Sequence, residues 1–244
     1  MRHQRPWWGR YLAGAMVMAV AGCAPVEDGK RAGAHDDKPS VPSAGASPSQ
    51  SEGGKGAADG TLPGVPGLAE ARTELSGLKV APHGPMTGYR RSSFPHWAEQ
   101  GENCNTRELV LKRGGTRVRQ DKECRAVSGS WVSAYDGKKL SVASEADIDH
   151  IVPLANAWRS GARTWDSDKR KAFANDLTHP QLLAVSAASN RSKGDQGPEE
   201  WQPPSKTYWC TYGKAWISIK ATYHLSVTQA EKGKLTEMLD TCAL

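Results

Sequence analysis

Residues Glu145–Trp158 read "EADIDHIVPLANAW", and the rest of the chain is understood from this stretch outward. Ile148, Ile151, Val152 and Leu154 ask for a core, yet Asp149 and His150 stand side by side among them. Successive strand residues point to opposite faces, so a half-buried strand would bury one member of the pair. An ionised carboxylate taken out of water is costly unless a partner meets it. The stretch therefore encodes either a satisfied hydrogen-bond cluster or a site, and taken alone the pair favours the cluster.

The downstream order changes that balance. "WDSDKRKAFANDL" has the pattern of a charged helix, "QLLAVS" of a short apolar strand, and "AASNRSKGD" of a turn opening a helix. Further on, "TQAEKGKLTEMLDTC" begins with Thr228 and Glu231 in capping-box spacing and predicts a helix. "KTYWCTYGKAWISIKATYHL" reads as a helix whose aromatics leave a strand open. Upstream, "GLAEARTELSGL" spaces Leu68, Ala71, Leu75 and Leu78 for a helix, and "NTRELVLKR" predicts another, capped by Asn105 or Thr106. "KECRAVSGSWVSAYDGKKL" alternates around an Asp136-Gly137 turn and predicts a β-hairpin. "GYRRSSFPHW" reads as irregular.

The N-terminal quarter has a different composition. Arg2, Arg5 and Arg10 precede the apolar run "YLAGAMVMAVAG", the pattern of an export signal over residues 1–22. That run falls short of the ~20 residues that span a bilayer. "VAGC", ending at Cys23, resembles a bacterial lipobox, which implies cleavage before Cys23 and lipid on its thiol; the alternative is an ordinary secretory signal. Residues 23–67 are rich in Gly, Pro, Ser and Ala, and such a segment reads as a disordered tether. The folded domain is expected over 68–244, a size that supports one core. The chain of 244 residues carries a net charge of +6, compatible with a polyanionic partner without requiring one. In an exported chain the even set Cys104, Cys124, Cys210 and Cys242 reads as two disulfides. Four cysteines allow three pairings, and proximity prefers Cys104–Cys124 and Cys210–Cys242.

Together, "DIDHIVPLANAW", "FANDL", "QLLAVSAASNRSKGD" and "PEEW" resemble the HNH, or ββα-metal, nuclease motif. They are similar to exported actinobacterial proteins related to the C-terminal nuclease domain of modification-dependent restriction enzymes. Upstream "FPHW", "CNTRE" and "YDG" look like the same exported subfamily. The resemblance implies an α+β domain with a ββα-metal core at about 145–201, flanked by helices and a hairpin. It implies that His150 is the general base, and that Asp149 and Asn190 hold a divalent cation, Mg²⁺ first and Mn²⁺ or another divalent ion as alternatives.

Elementary chemistry is consistent with those roles. Phosphodiester hydrolysis needs a base for the attacking water and positive charge beside the phosphate oxygens. Neutral imidazole suits the first task, and hard oxygens suit a cation that keeps several waters. Lys193 is expected at the phosphate, with Arg191 and Arg107 as weaker candidates. Asp147 is expected to support the site or form a surface ion pair. Gln181 stands where the motif commonly has Asn tying the loop after the His to the second strand, and Asn175 is a possible replacement brace. His96 and His179 are most simply structural or exposed, and Trp158, Trp165 and Trp201 most simply core. The reading is thus an extracytoplasmic endonuclease, lipid-anchored or secreted, with nucleic acid as substrate (DNA ahead of RNA). It contacts the membrane only through the lipid anchor and needs no obligate protein partner. Its rivals are a non-catalytic surface module that binds nucleic acid or an envelope polymer, and a structural lipoprotein with a buried Asp-His pair.

Overall fold

The computed structural model describes residues 62–243. The expected signal peptide, Cys23 and most of the expected tether lie outside the described residues. The tether's expected end does not extend to residue 67, because Leu62 is buried in the core and Val65 packs against it. An apolar pair in a Gly/Pro-rich stretch suffices to dock it.

The first helix, α1 (Leu68–Gly77), turns Ala71 and Leu75 inward. An irregular segment with a 3-10 turn at Arg91–Ser93 leads to α2 (Thr106–Gly114), whose N-terminus is capped by the Asn105 side chain accepting from Glu108 N. Three antiparallel strands follow, β1 (Gly115–Gln120), β2 (Ala126–Val132) and β3 (Lys139–Leu140), in the order β1-β2-β3. The Asp136-Gly137 turn joins the last two, and the expectation missed β1. Its "GTRVRQ" carries one apolar side chain, and its packing depends on glycines. Trp131 lies flat across the ladder, so a Cβ on Gly115 would come within 2.5 Å of its Nε1, and one on Gly129 within 2.7 Å of its ring. The indole N–H donates to Leu111 O on α2.

Strand β4 (Ala146–His150) pairs antiparallel with β5 (Leu182–Ser186), and α5 (Ala187–Lys193) follows directly, its first turn capped by Ser186. This is a ββα unit within an α+β domain. Between the two strands run α3 (Leu154–Arg159) and α4 (Ser167–Ala174), the latter capped by Asp166. The aromatic-rich C-terminal stretch is a helix, α6 (Trp209–Thr222), because Tyr212, Ala215, Trp216 and Ile219 fall on one buried face at helical spacing. It packs on α7 (Gln229–Asp240), whose Thr228–Glu231 capping box is formed. Glu231 also meets the buried Lys220 ammonium at 3.0 Å, so one carboxylate both caps a helix and neutralises a core charge.

Disulfides join Cys104 to Cys124 and Cys210 to Cys242. The first ties the loop before α2 to the β1–β2 turn. The second ties the start of α6 to the chain end. Among the described residues no helix is long and apolar enough to cross a membrane.

The β4–β5 ladder lies between two apolar clusters. Ala146 and Ile148 on β4 and Leu182 and Ala184 on β5 join Val110, Leu111, Trp131 and Leu140 on one face. Leu183 and Val185 belong to the larger cluster on the other face. Register pairs His150 with Leu182 and Asp149 with Leu183, so both faces are dry and both polar residues are buried.

Candidate active site

His150 is 4% exposed and carries two supports. Its Nε2 lies 3.0 Å from Ala174 O at the end of α4, and Trp97 stacks on the ring with centroids 5.7 Å apart. A carbonyl only accepts, so Nε2 bears the proton and Nδ1 keeps the lone pair. Nδ1 makes no hydrogen bond among the described residues, and His150 lines a cavity of about 290 Å³. Burial pushes the imidazole pKa down to about 3, against the pull of the Ala174 bond, and the positive charge of Arg91 and Lys193 adds to the fall. The ring is therefore a neutral base of fixed tautomer.

Trp97 holds its place at a conformational cost, with φ of 58° in the left-handed region. Asn175 secures that segment. Its Oδ1 accepts from Ala98 N and Thr106 Oγ1, each at 2.8 Å, and its Nδ2 donates to Pro95 O and Lys171 O. Asn175 thus braces the Trp97 loop against α4, not the loop after His150.

Asp149, 5% exposed, is paired on the opposite face. Its Oδ2 accepts from Tyr135 O–H at 2.5 Å and from Lys193 Nζ at 2.6 Å. Lys193 also donates to His150 O at 2.7 Å. Its 0% exposure corrects the expectation of a phosphate contact, since the ammonium is spent inside the protein orienting Asp149 and the strand end. Burial lowers the Lys193 pKa while Asp149 pulls it back up, and Tyr135 is driven well above the ordinary phenol value by burial and the adjacent carboxylate.

Asn190, one turn before Lys193 on α5, donates its Nδ2 to Asp147 Oδ2 at 3.1 Å. A carboxylate fixes the amide's orientation, leaving Asn190 Oδ1 free, and Asp149 Oδ1 is likewise free of hydrogen bonds among the described residues. Asp149, His150 and Asn190 line the same cavity, together with Tyr89, Arg91 and Asp195. Among the described residues no three His, Cys, Asp or Glu side chains converge as a metal cluster. Two free hard oxygens in a solvent-reaching cavity still fit a divalent cation that keeps most of its waters.

The remaining expected residues fall outside the cavity. Gln181 is fully buried and grips Val152 from both sides, its Oε1 accepting from Val152 N and its Nε2 donating to Val152 O. Gln181 O accepts from Ile151 N at 2.7 Å, so the longer amide holds the loop after His150 to β5. Arg107 is directed to Glu108 and the carbonyls of Ala143 and Ala146. His96 bonds Phe94 O and His179 pairs with Asp176. Trp158, Trp165 and Trp201 pack into the larger core. Tyr89, Arg91 and Asp195 in the cavity, and Trp97 and Tyr135 in its support, were given no role from the sequence. Arg91 and Tyr89 come from the irregular "GYRRSSF" segment, whereas Trp97 and Tyr135 lie in "FPHW" and "YDG", stretches that carried the resemblance without giving either residue a role.

The ββα unit thus brings Asp149, His150 and Asn190 to one cavity. Residues 109–238 match the C-terminal domain family of GmrSD restriction endonucleases, and the chain belongs to that family. A protein of the fungus Arthroderma benhamiae named "Uncharacterized secreted protein" is 56% identical over 182 residues, covering 75% of this chain and 89% of the fungal one. This relative is fungal, not actinobacterial as the sequence resemblance implied. No solved structure matches.

Proposed function

We propose that this protein is an exported, divalent-metal-dependent HNH endonuclease that hydrolyses phosphodiester bonds in nucleic acid, DNA ahead of RNA. The observation that carries the reading is His150, buried and neutral, with Nε2 committed to Ala174 O and Nδ1 free in the cavity it shares with Asp149, Asn190 and Arg91. His150 Nδ1 takes the proton of the attacking water, and Ala174 O steadies the imidazolium that results. The exposed Arg91 guanidinium receives the phosphate. Asp149 and Asn190 would hold the cation, Mg²⁺ or Mn²⁺, through the oxygens their hydrogen bonds leave free. When bound, that cation supplies positive charge to the phosphate and to the departing oxygen. Lys193 and Tyr135 fix Asp149, Asp147 fixes Asn190, and Gln181 fixes the turn behind His150.

Export is supported by the N-terminal signal pattern, the two disulfides and the naming of the fungal relative as secreted. The proposal includes removal of residues 1–22, lipid on Cys23, and a tether leading to the folded domain. The test is to incubate the disulfide-intact protein with supercoiled plasmid and with RNA, in Mg²⁺, in Mn²⁺ and in EDTA. Nicking that requires metal is expected. A folded protein that cuts neither polymer with any divalent cation would overturn the reading.

A further inference from the structure

The three-stranded sheet has an outer face that the cavity chemistry does not use. Strands β1, β2 and β3 contain no acidic residue, and their charged side chains are Arg117, Arg119 and Lys139. Among the described residues none of the three forms an ion pair, whereas Arg107, Arg125 and Arg159 each pair with a carboxylate. Register places Arg119 opposite Ser128, Thr116 opposite Ser130, and Lys139 opposite Val132. Cations therefore stand on both edge strands, with short hydroxyl side chains between them. With strands ~4.8 Å apart and ~3.3 Å per residue, Arg119 and Lys139 lie about 16 Å apart on a diagonal, a span on the scale of a ~12 Å major groove. Val132, opposite Lys139 on β2, is 58% exposed, so among the described residues nothing covers it.

The inner face of the same sheet is fixed to the site. Trp131 and Leu140 share one apolar cluster with Ile148, Leu182 and Ala184, the residues that back the strand bearing His150. A polymer gripped outside is therefore held in constant relation to the cavity.

We propose that the outer face of β1–β2–β3, through Arg119 and Lys139 with the exposed Arg117 at the β1 bulge beside them, docks the phosphate backbone of the polynucleotide being cut. This rests on the nuclease reading and adds a substrate-holding surface to it. Charge complementarity identifies the occupant, because unpaired cations and hydroxyl donors suit phosphate oxygens and an acid-free face repels none of them.

The test compares two triple variants of equal net charge. One carries Arg117→Gln, Arg119→Gln and Lys139→Gln; the control carries Lys79→Gln, Arg163→Gln and Lys171→Gln, all exposed and off the sheet. Binding to a short DNA duplex and to its RNA counterpart is titrated against salt in EDTA, in a His150→Ala background. Turnover of bis(p-nitrophenyl) phosphate, too small to reach the sheet, is measured with His150 intact. Counterion release makes each lost contact worth about fivefold at ~0.15 M salt and 0.9 in the salt slope. The sheet variant should lose about 100-fold in affinity and about 3 in slope, with small-substrate turnover unchanged and the control near the parent. Equal weakening by the two variants, or unchanged binding by the sheet variant, overturns the docking surface. Failure of the nuclease reading shows separately, as no turnover of any phosphodiester by the parent.

Discussion

Replacing Lys193 by Met removes an ammonium that is completely buried between Asp149 Oδ2 at 2.6 Å and His150 O at 2.7 Å. Methionine fills much of the volume, so the change is chiefly electrostatic. Asp149 is then left in a dry environment with Tyr135 O–H as its remaining donor. Breaking a buried pair from one side typically costs about 3–5 kcal/mol, because an uncompensated charge stays behind. For a domain of this size that corresponds to a fall in Tm of roughly 10–15 °C. The Asp149→Asn/Lys193→Met double variant removes both charges and keeps an acceptor for Tyr135, so it should be more stable than Lys193→Met alone. The cycle of two single variants and the double should give a coupling of about 2–3 kcal/mol. The assay is equilibrium denaturation in EDTA with both disulfides intact, comparing midpoints at constant m. A single variant within ~1 kcal/mol of the parent, or a double equal to the sum of the singles, would refute the role of Lys193 as the internal partner of Asp149.

The His150 pKa of about 3 in the fold, against ~6.5 unfolded, means the unfolded chain binds more protons between these values. Stability contributed by keeping His150 neutral is therefore full above pH ~6.5 and lost as pH falls toward 3, by up to about 1.4 kcal/mol per unit. Denaturation midpoints across that range test this, and cleavage should show no acid limb centred near 6.5; a limb there contradicts the buried neutral base. Gln181→Ala leaves Val152 N and O unpaired in a buried turn and should cost about 2–4 kcal/mol, read by thermal denaturation, with cleavage falling alongside. Trp97→Ala strips the ring stacked on His150 and should lower kcat about tenfold, matching an aromatic contact of ~1–1.5 kcal/mol, while KM stays near the parent value. Cys104→Ser/Cys124→Ser should cost about 3 kcal/mol in the chain-entropy account and expose residues 98–106 to proteolysis, whereas an unchanged digestion pattern would show that the loop does not depend on the bridge.

The ββα unit could be read from the chain because its signals are local and ordered. Asp149-His150 ends one strand, Ser186 caps the helix after the next, and Asn190 follows one turn later. The Thr228–Glu231 box and the Asn105 cap announced their helices for the same reason. What escaped depends on contacts made across the fold. Lys193 looks like any basic residue near a motif until folding brings it to Asp149, 44 residues away. Tyr135 sits in the "YDG" turn, which carried the resemblance but gave the tyrosine no role until folding brings it to Asp149. Arg91 and Trp97 lie in a segment without periodicity, placed by Asn175 across 77 residues between it and Ala98. Strand β1 was hidden because its burial is supplied by the Trp131 indole over glycines and by only one apolar side chain of its own. The six-residue extension of the body to Leu62 was masked by its Gly/Pro-rich surroundings.

The most direct test of the central claim is the turnover of His150→Ala on plasmid DNA in saturating Mg²⁺ or Mn²⁺, with folding monitored in the same samples. Alanine removes the free imidazole nitrogen that His150 presents to the cavity while the Asp149–Lys193 pair and both disulfides stay in place. Loss of a positioned general base is expected to lower kcat by about 10²–10⁴-fold in a protein that still unfolds cooperatively with its disulfides intact. Cleavage at the parent rate by that variant would contradict the assignment of His150 as the base, and with it the proposed endonuclease mechanism.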